Sequence, residues 1–202
     1  MAEIEFFFDC SSPWTYLAFH NIQPVAKEFA ATITWRPFLV GGVFNTINPS
    51  VYNTRDAPVP AKQAYSKKDL QDWARLAGIK ILDKPTVFPV NSVKAMRACI
   101  ALEADARLVA FITAVFEAYW GQDENISETA VLAAICGRVG IDAAKLFAAI
   151  DQQPIKDRLR ANTQELMDRG GYGSPTTFVN KADMYFGNDR MPLIREALRR
   201  AG

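Results

Sequence analysis

Residues 3–17 read Glu3-Ile4-Glu5-Phe6-Phe7-Phe8-Asp9-Cys10-Ser11-Ser12-Pro13-Trp14-Thr15-Tyr16-Leu17, and this stretch decides the fold. Its first six residues suit a strand ending at Asp9, with β-favouring aromatics and a turn signal behind them. Ser12 then offers an acceptor at a helix N-cap, and Pro13 brings a φ already set for the first helical position. The spacing predicts a helix to about Ala30, with Tyr16, Leu17, Ile22, Val25, Ala26 and Phe29 roughly on one side. Pro24 lies inside that span, so a kink or a break is expected near Gln23. Residues 32–36, Thr-Ile-Thr-Trp-Arg, alternate as a second strand. Strand, helix and strand make a βαβ unit, which implies parallel pairing with a right-handed crossover.

Beyond it the character changes. Residues 37–62 hold Gly41-Gly42 and the prolines 37, 49, 58 and 60, and read as a long irregular segment. Helices are expected over Lys67–Ala77, Ser92–Glu103, Ala106–Trp120, Glu128–Val139, Ala143–Asp151 and Ile155–Arg169. Strands return at Thr176–Val179 and Met184–Phe186, paired as a hairpin around a turn at Asn180–Asp183. Asn188 or Asp189 then caps a last helix to about Arg200, whose four arginines read as a solvated face. The order β-α-β, six helices, β-β-α describes an α/β sheet domain interrupted by a helical one. The expected division is residues 1–60 with 171–202 for the sheet domain, and 61–170 for the insertion.

Composition narrows the chemistry. The 202 residues include 23 Lys+Arg and 22 Asp+Glu, a net charge of +1, which removes the electrostatic reason to propose nucleic acid or an anionic membrane as partner. One histidine excludes a His-rich metal cluster, and three scattered cysteines form neither C-x-x-C nor a paired zinc spacing. No metal site is expected. The acidic N-terminus and the short apolar run Phe6–Phe8 do not make a signal peptide, and no run approaches the roughly 18 apolar residues of a membrane span. Unpaired cysteines fit a reducing compartment, and the expected location is cytoplasmic. Cys99 and Cys136 read as buried packing residues, Cys10 as strand-end packing rather than a nucleophile, and His20 as a helical His without a catalytic part. Tyr16 fits helix packing as well as the site. Phe38, Phe44, Phe88, Tyr119 and Trp120 suit either core or an aromatic pocket.

Two elements carry chemistry. Ser12-Pro13-Trp14-Thr15 opens the first helix where thioredoxin-like oxidoreductases hold C-x-x-C, with oxygens at both sulfur positions. Such a pair cannot cycle through a disulfide, yet it can donate to an anion seated at the helix N-terminus. Ser174-Pro175-Thr176 puts a proline directly before a strand, the context of the cis-proline loop that faces C-x-x-C in that fold.

With those residues the chain resembles the bacterial 2-hydroxychromene-2-carboxylate isomerases and the kappa-class glutathione transferases, thioredoxin-like relatives of the disulfide oxidoreductases. The likeness rests on Phe8 to Leu17, on Phe88-Pro89-Val90-Asn91-Ser92 with Ala95-Met96-Arg97, and on Phe116 with Trp120. At the C-terminal end it adds Gly173-Ser174-Pro175-Thr176 and Phe186-Gly187-Asn188-Asp189-Arg190. The resemblance implies a glutathione cofactor whose sulfur Ser12 holds as thiolate and whose backbone pairs with Ser174 beside Pro175. It further implies that Asn188 and Asp189 hold the γ-glutamyl end, that Asn53 and Lys62 lie near the glycyl end or an acidic substrate, and that the protein is a homodimer. The implied activity is isomerisation of a small aromatic acid. A kappa-like transferase or peroxidase, and a non-catalytic thioredoxin-like binding module, are the competing readings.

Overall fold

The computed structural model describes residues 2–201. Strand β1 (Glu3–Phe8) leads into helix α1 (Pro13–Glu28) and strand β2 (Thr32–Pro37), as the opening stretch requires. Ser12 is the N-cap and accepts from the Thr15 N–H, with Pro13 in the first turn. α1 runs through Pro24, so the expected break does not occur. The carbonyl that loses its partner to the proline belongs to the exposed His20, open to water, and the Gln23 amide donates to the Phe19 carbonyl at 2.9 Å.

The segment expected to be irregular is largely helical. It holds α2 (Val40–Thr46), α3 (Ser50–Asp56) and the start of α4 (Pro60–Ala77), which begins ahead of the expected Lys67. Two of the prolines there mark helix starts: Pro49 is the N-cap of α3, and Pro60 opens α4 where its missing N–H costs nothing. The remaining helices are α5 (Val93–Ala101), α6 (Leu108–Phe116), α7 (Thr129–Arg138), α8 (Ala143–Ile150) and α9 (Gln153–Asp168). Between α6 and α7 lies a π-helical turn, Glu117–Gly121, inside the span expected to be one helix to Trp120.

Strands β3 (Thr176–Val179) and β4 (Asp183–Phe186) return as a hairpin whose turn residues Asn180 and Lys181 both take positive φ. A 3₁₀ turn, Asn188–Arg190, then precedes α10 (Met191–Ala201). The sheet order is β2-β1-β3-β4, with β1 parallel to β2 and antiparallel to β3. The fold is therefore a mixed α/β sheet with a large helical insertion between β2 and β3.

β1 is central and buried on both faces. Ile4, Phe6 and Phe8 join the main core with α1 and the helical block, and Phe7 meets Phe38, Val43, Leu166 and Phe178 on the other side. Each fully buried phenylalanine contributes roughly 1.5–3 kcal/mol. The insertion is also tied to the sheet by charge. Arg169 bridges Glu5 at 2.6 Å and Glu165 at 2.9 Å while its guanidinium lies 3.8 Å over the Phe178 ring, and Arg36 pairs with Glu165. Among the described residues no helix is long and apolar enough to cross a membrane.

Candidate active site

The C-terminal end of β1, the N-terminus of α1 and the loop before β3 meet at one point. Ser174–Pro175 is a cis peptide, as its position before a strand predicts; Phe88–Pro89 is a second. The Ser12 hydroxyl accepts from the Thr15 N–H at 3.3 Å and donates to the Ser174 carbonyl at 3.3 Å. Both contacts are long against the 2.7–3.0 Å of well-made bonds, so this hydroxyl is held loosely. The Ser174 hydroxyl is held firmly: it lies 2.7 Å from the Thr15 hydroxyl and accepts the Asp9 N–H at 3.0 Å. Thr15 is fully buried and Ser12 half-buried. Of the two oxygens standing at the sulfur positions, only that of Ser12 lines the cleft described next.

That cleft has a volume of about 1590 Å³ and is bounded by Ser12, Ser174, Phe44, Asn53, Lys62 and Trp120, among others. A smaller hollow of about 260 Å³, bounded by Pro175, Asn188, Asp189, Asp69 and Trp73, adjoins it across Trp14, Ser174 and Phe186, which line both. Ser12, Asn53, Lys62, Ser174, Pro175, Asn188 and Asp189 thus each line one or both of two adjoining cavities. Asn53 and Lys62 reach the large one from α3 and α4, the segment read as irregular. Asn188 and Asp189 reach the small one from the 3₁₀ turn, which stands where the cap of the last helix was expected. The Asn188 side-chain oxygen is buried and has no hydrogen-bond partner among the described residues. The cleft is large enough for a drug-sized ligand with a second molecule beside it.

The π-helical turn turns Tyr119 and Trp120 inward, their rings 4.7 Å apart. Trp120 lines the cleft and donates its indole N–H to the Cys10 carbonyl at 2.9 Å; the Tyr119 hydroxyl donates to the Val87 carbonyl at 2.8 Å. Of the five aromatics left open by the sequence, Phe44, Phe88 and Trp120 line the cleft, while Phe38 is fully buried in the core. Tyr16 is buried with its ring stacked on Phe116 at 5.0 Å, and burial pushes its hydroxyl up to about 12. Cys10, Cys99 and Cys136 are buried free thiols, and burial raises all three above the ordinary thiol range. None is a thiolate nucleophile at neutral pH.

Sequence reasoning missed Asp9, Lys67, Asp83 and Lys84, all of which line the cleft. The signal for Asp9 was a carboxylate directly after three phenylalanines at a strand end; the other three carry no local pattern that separates them from solvated charges.

Comparison with known proteins gives the same outline. Residues 3–199 match the family model of a DSBA-like thioredoxin domain. The chain is 30% identical to a 2-hydroxychromene-2-carboxylate isomerase of Pseudomonas putida, over 98% of this chain and 94% of that protein. It is 26% identical to glutathione S-transferase kappa 1 of Rattus norvegicus, covering 95% of this chain and 88% of the relative. A solved 2-hydroxychromene-2-carboxylate isomerase superposes with a TM-score of 0.83 at 26% identity, over 98% of this chain and 95% of its own.

Proposed function

Because the chain belongs to the DSBA-like thioredoxin family, we propose that it is a glutathione-dependent isomerase interconverting 2-hydroxychromene-2-carboxylate and trans-o-hydroxybenzylidenepyruvate. The observation that carries this reading is the Ser12–Ser174 contact. A hydroxyl at a helix N-terminus stands where disulfide oxidoreductases keep a sulfur, loosely held and facing an open cleft. The isomerase of Pseudomonas putida, at 30% identity, stands above the kappa transferase of Rattus norvegicus at 26%, which supports isomerisation over transfer.

The residues present fit glutathione. The orphaned Asn188 oxygen and the Asp189 carboxylate offer acceptors to the γ-glutamyl ammonium, and the nearby 3₁₀ turn offers N–H groups to its carboxylate. The Ser174 main chain beside Pro175 offers strand-like pairing once its carbonyl is freed from the Ser12 hydroxyl. Glutathione, when bound, supplies a thiolate that adds to the conjugated enone of the ring-opened substrate and leaves after rotation about the bond made single. Ser12 releases the Ser174 carbonyl to the ligand's main chain and turns its proton to the sulfur, holding it ionised together with the α1 N-terminus. Lys62, which lines the same cleft as Asn53, stabilises the negative charge that develops on the substrate oxygen. Residues 1–60 and 171–202 form the glutathione-binding unit, and 61–170 supply the part of the cleft wall that carries Lys62, Phe88 and Trp120 against the aromatic acid. The same reading carries a homodimer in the reducing cytoplasm.

The test is direct. Calorimetry with glutathione up to millimolar concentration should give binding, and absorbance should report conversion of 2-hydroxychromene-2-carboxylate only when glutathione is present. Conversion without glutathione, or no binding at all, defeats the reading. Binding with thiol transfer to other electrophiles but no isomerisation would make it a kappa-like transferase.

A further inference from the structure

Asp9 is only 1% exposed, yet no cation holds its charge among the described residues. Its carboxylate is met by polar groups from three separate segments. The Ser11 N–H, just before the α1 N-cap, donates at 3.0 Å, and the Val40 N–H, first residue of α2, donates at 2.9 Å. The Ser92 and Ser11 hydroxyls also lie close enough to the carboxylate to lower its pKa, against the larger effect of burial. Ser92 is the N-cap residue of α5 and makes no cap bond of its own, and Leu39 likewise leaves α2 without a side-chain cap. The starts of α1, α2 and α5 therefore share one carboxylate, and all three segments line the cleft. The Asp9 main chain reaches the reacting centre as well. Its N–H bonds the Ser174 hydroxyl, and its carbonyl accepts the Ser12 N–H at 3.3 Å.

We propose that Asp9 is a positioning residue that locks the three wall segments together and thereby aims the Ser12 hydroxyl and the α1 N-terminus at the bound sulfur. The proposal rests on the glutathione reading. Burial raises the Asp9 carboxyl above its usual range, against the pull of its donors. The titratable groups that face it, Cys10, Cys99 and Tyr119, are themselves kept neutral by burial. A buried anion under an anion site has two opposite effects, and their signs separate them. As a bare charge, Asp9 repels the thiolate, and removing it should lower the thiol pKa. As a positioning group, it keeps the donors on target, and removing it should raise that pKa.

The experiment is a pH titration of the ultraviolet thiolate band with the protein saturated in glutathione. Asp9→Asn should raise the pKa of the bound thiol by about one unit, roughly tenfold less thiolate at a fixed pH below it. Ser92→Ala, which removes one hydroxyl and leaves the carboxylate, should shift it the same way by less, and it decides the matter if Asp9→Asn does not fold. A pKa that is unmoved or lowered in both variants overturns the positioning role alone. A wild-type protein that shows no thiolate band removes the glutathione reading and this inference with it.

Discussion

The Ser12 hydroxyl and the Ser174 carbonyl, 162 positions apart in sequence, meet at 3.3 Å and close the site over itself. The same hydroxyl caps α1, so Ser12→Ala should have two separable effects. Loss of the cap costs about 1 kcal/mol of stability. Loss of a donor to the bound anion should lower glutathione-dependent turnover by about 10²-fold. The magnitudes decide which dominates, because a protein stable by several kcal/mol stays folded after losing one. Thermal unfolding and the isomerase assay on the same sample check both, and unchanged turnover would remove Ser12 from the reaction.

Arg169→Met should destabilise without touching the site. Arg169 holds Glu5, whose side chain is 10% exposed, and Glu165 on the sheet face that carries Phe7 and Phe178. Removing one partner of a buried pair strands the other, a loss of roughly 3–5 kcal/mol. Adding Glu5→Gln should recover much of that, because the stranded charge goes as well. Chemical denaturation of the two variants reads the difference. Glutathione affinity should stay at its wild-type value, since neither Glu5 nor Arg169 lines either cavity.

What was legible follows range. Strand β1, the Ser12 cap and the Pro13 start depend on neighbours in sequence, and each appears where the local chemistry put it. The hairpin is legible for the same reason. Pro49 and Pro60 misled because proline at a helix start and proline in a loop look alike until the helix behind them is counted. The π-helical turn has no such local mark; it is closed by long-range bonds such as the Leu82 N–H to the Trp120 carbonyl at 2.8 Å. Asp9 was passed over because its polar neighbours lie at 11, 40 and 92, and only the folded chain brings them together. Asn53 and Lys62 fell on the cleft even though their segment was read as irregular, because the family likeness carried their positions and local pattern did not.

Asp9 also makes a prediction for acid stability. Its folded pKa is raised above the unfolded value of 3.8, so the native state holds the proton more tightly than the unfolded one. Stability contributed at this position is present below 3.8 and is lost as pH rises through the folded pKa. Asp105 runs the other way: bonds from Arg107 lower it to about 2, so its contribution is present above 3.8 and is lost as pH falls toward 2. The unfolding free energy of wild type minus that of Asp9→Asn should therefore fall as pH rises above 3.8, whatever constant offset the lost hydrogen bonds add. Urea titrations from pH 4 upward check the slope; a flat difference would mean that burial does not perturb this carboxyl.

Lys62 is the residue whose part in the reaction depends most on what covers it. It is exposed on the cleft wall, with Lys67 and Lys84 lining the same cavity. An exposed charge contributes about 0.2–1 kcal/mol to a pairing, so Lys62→Ala should weaken glutathione binding by no more than about fivefold, and less at high salt. The reaction itself differs, because the ring of a bound aromatic acid would shield Lys62 from water as charge develops on the substrate oxygen. Turnover should then fall by about tenfold or more, the lower end of what a lost donor to a developing anion costs. The split between the two constants is the informative quantity. Calorimetry gives the glutathione affinity and the absorbance assay gives turnover under saturation. A variant with affinity weakened tenfold and turnover intact would move Lys62 from the substrate oxygen to the glycyl carboxylate of glutathione. Lys62→Arg keeps the charge but not the compact ammonium, so it should restore affinity more fully than turnover if the proposed role is right.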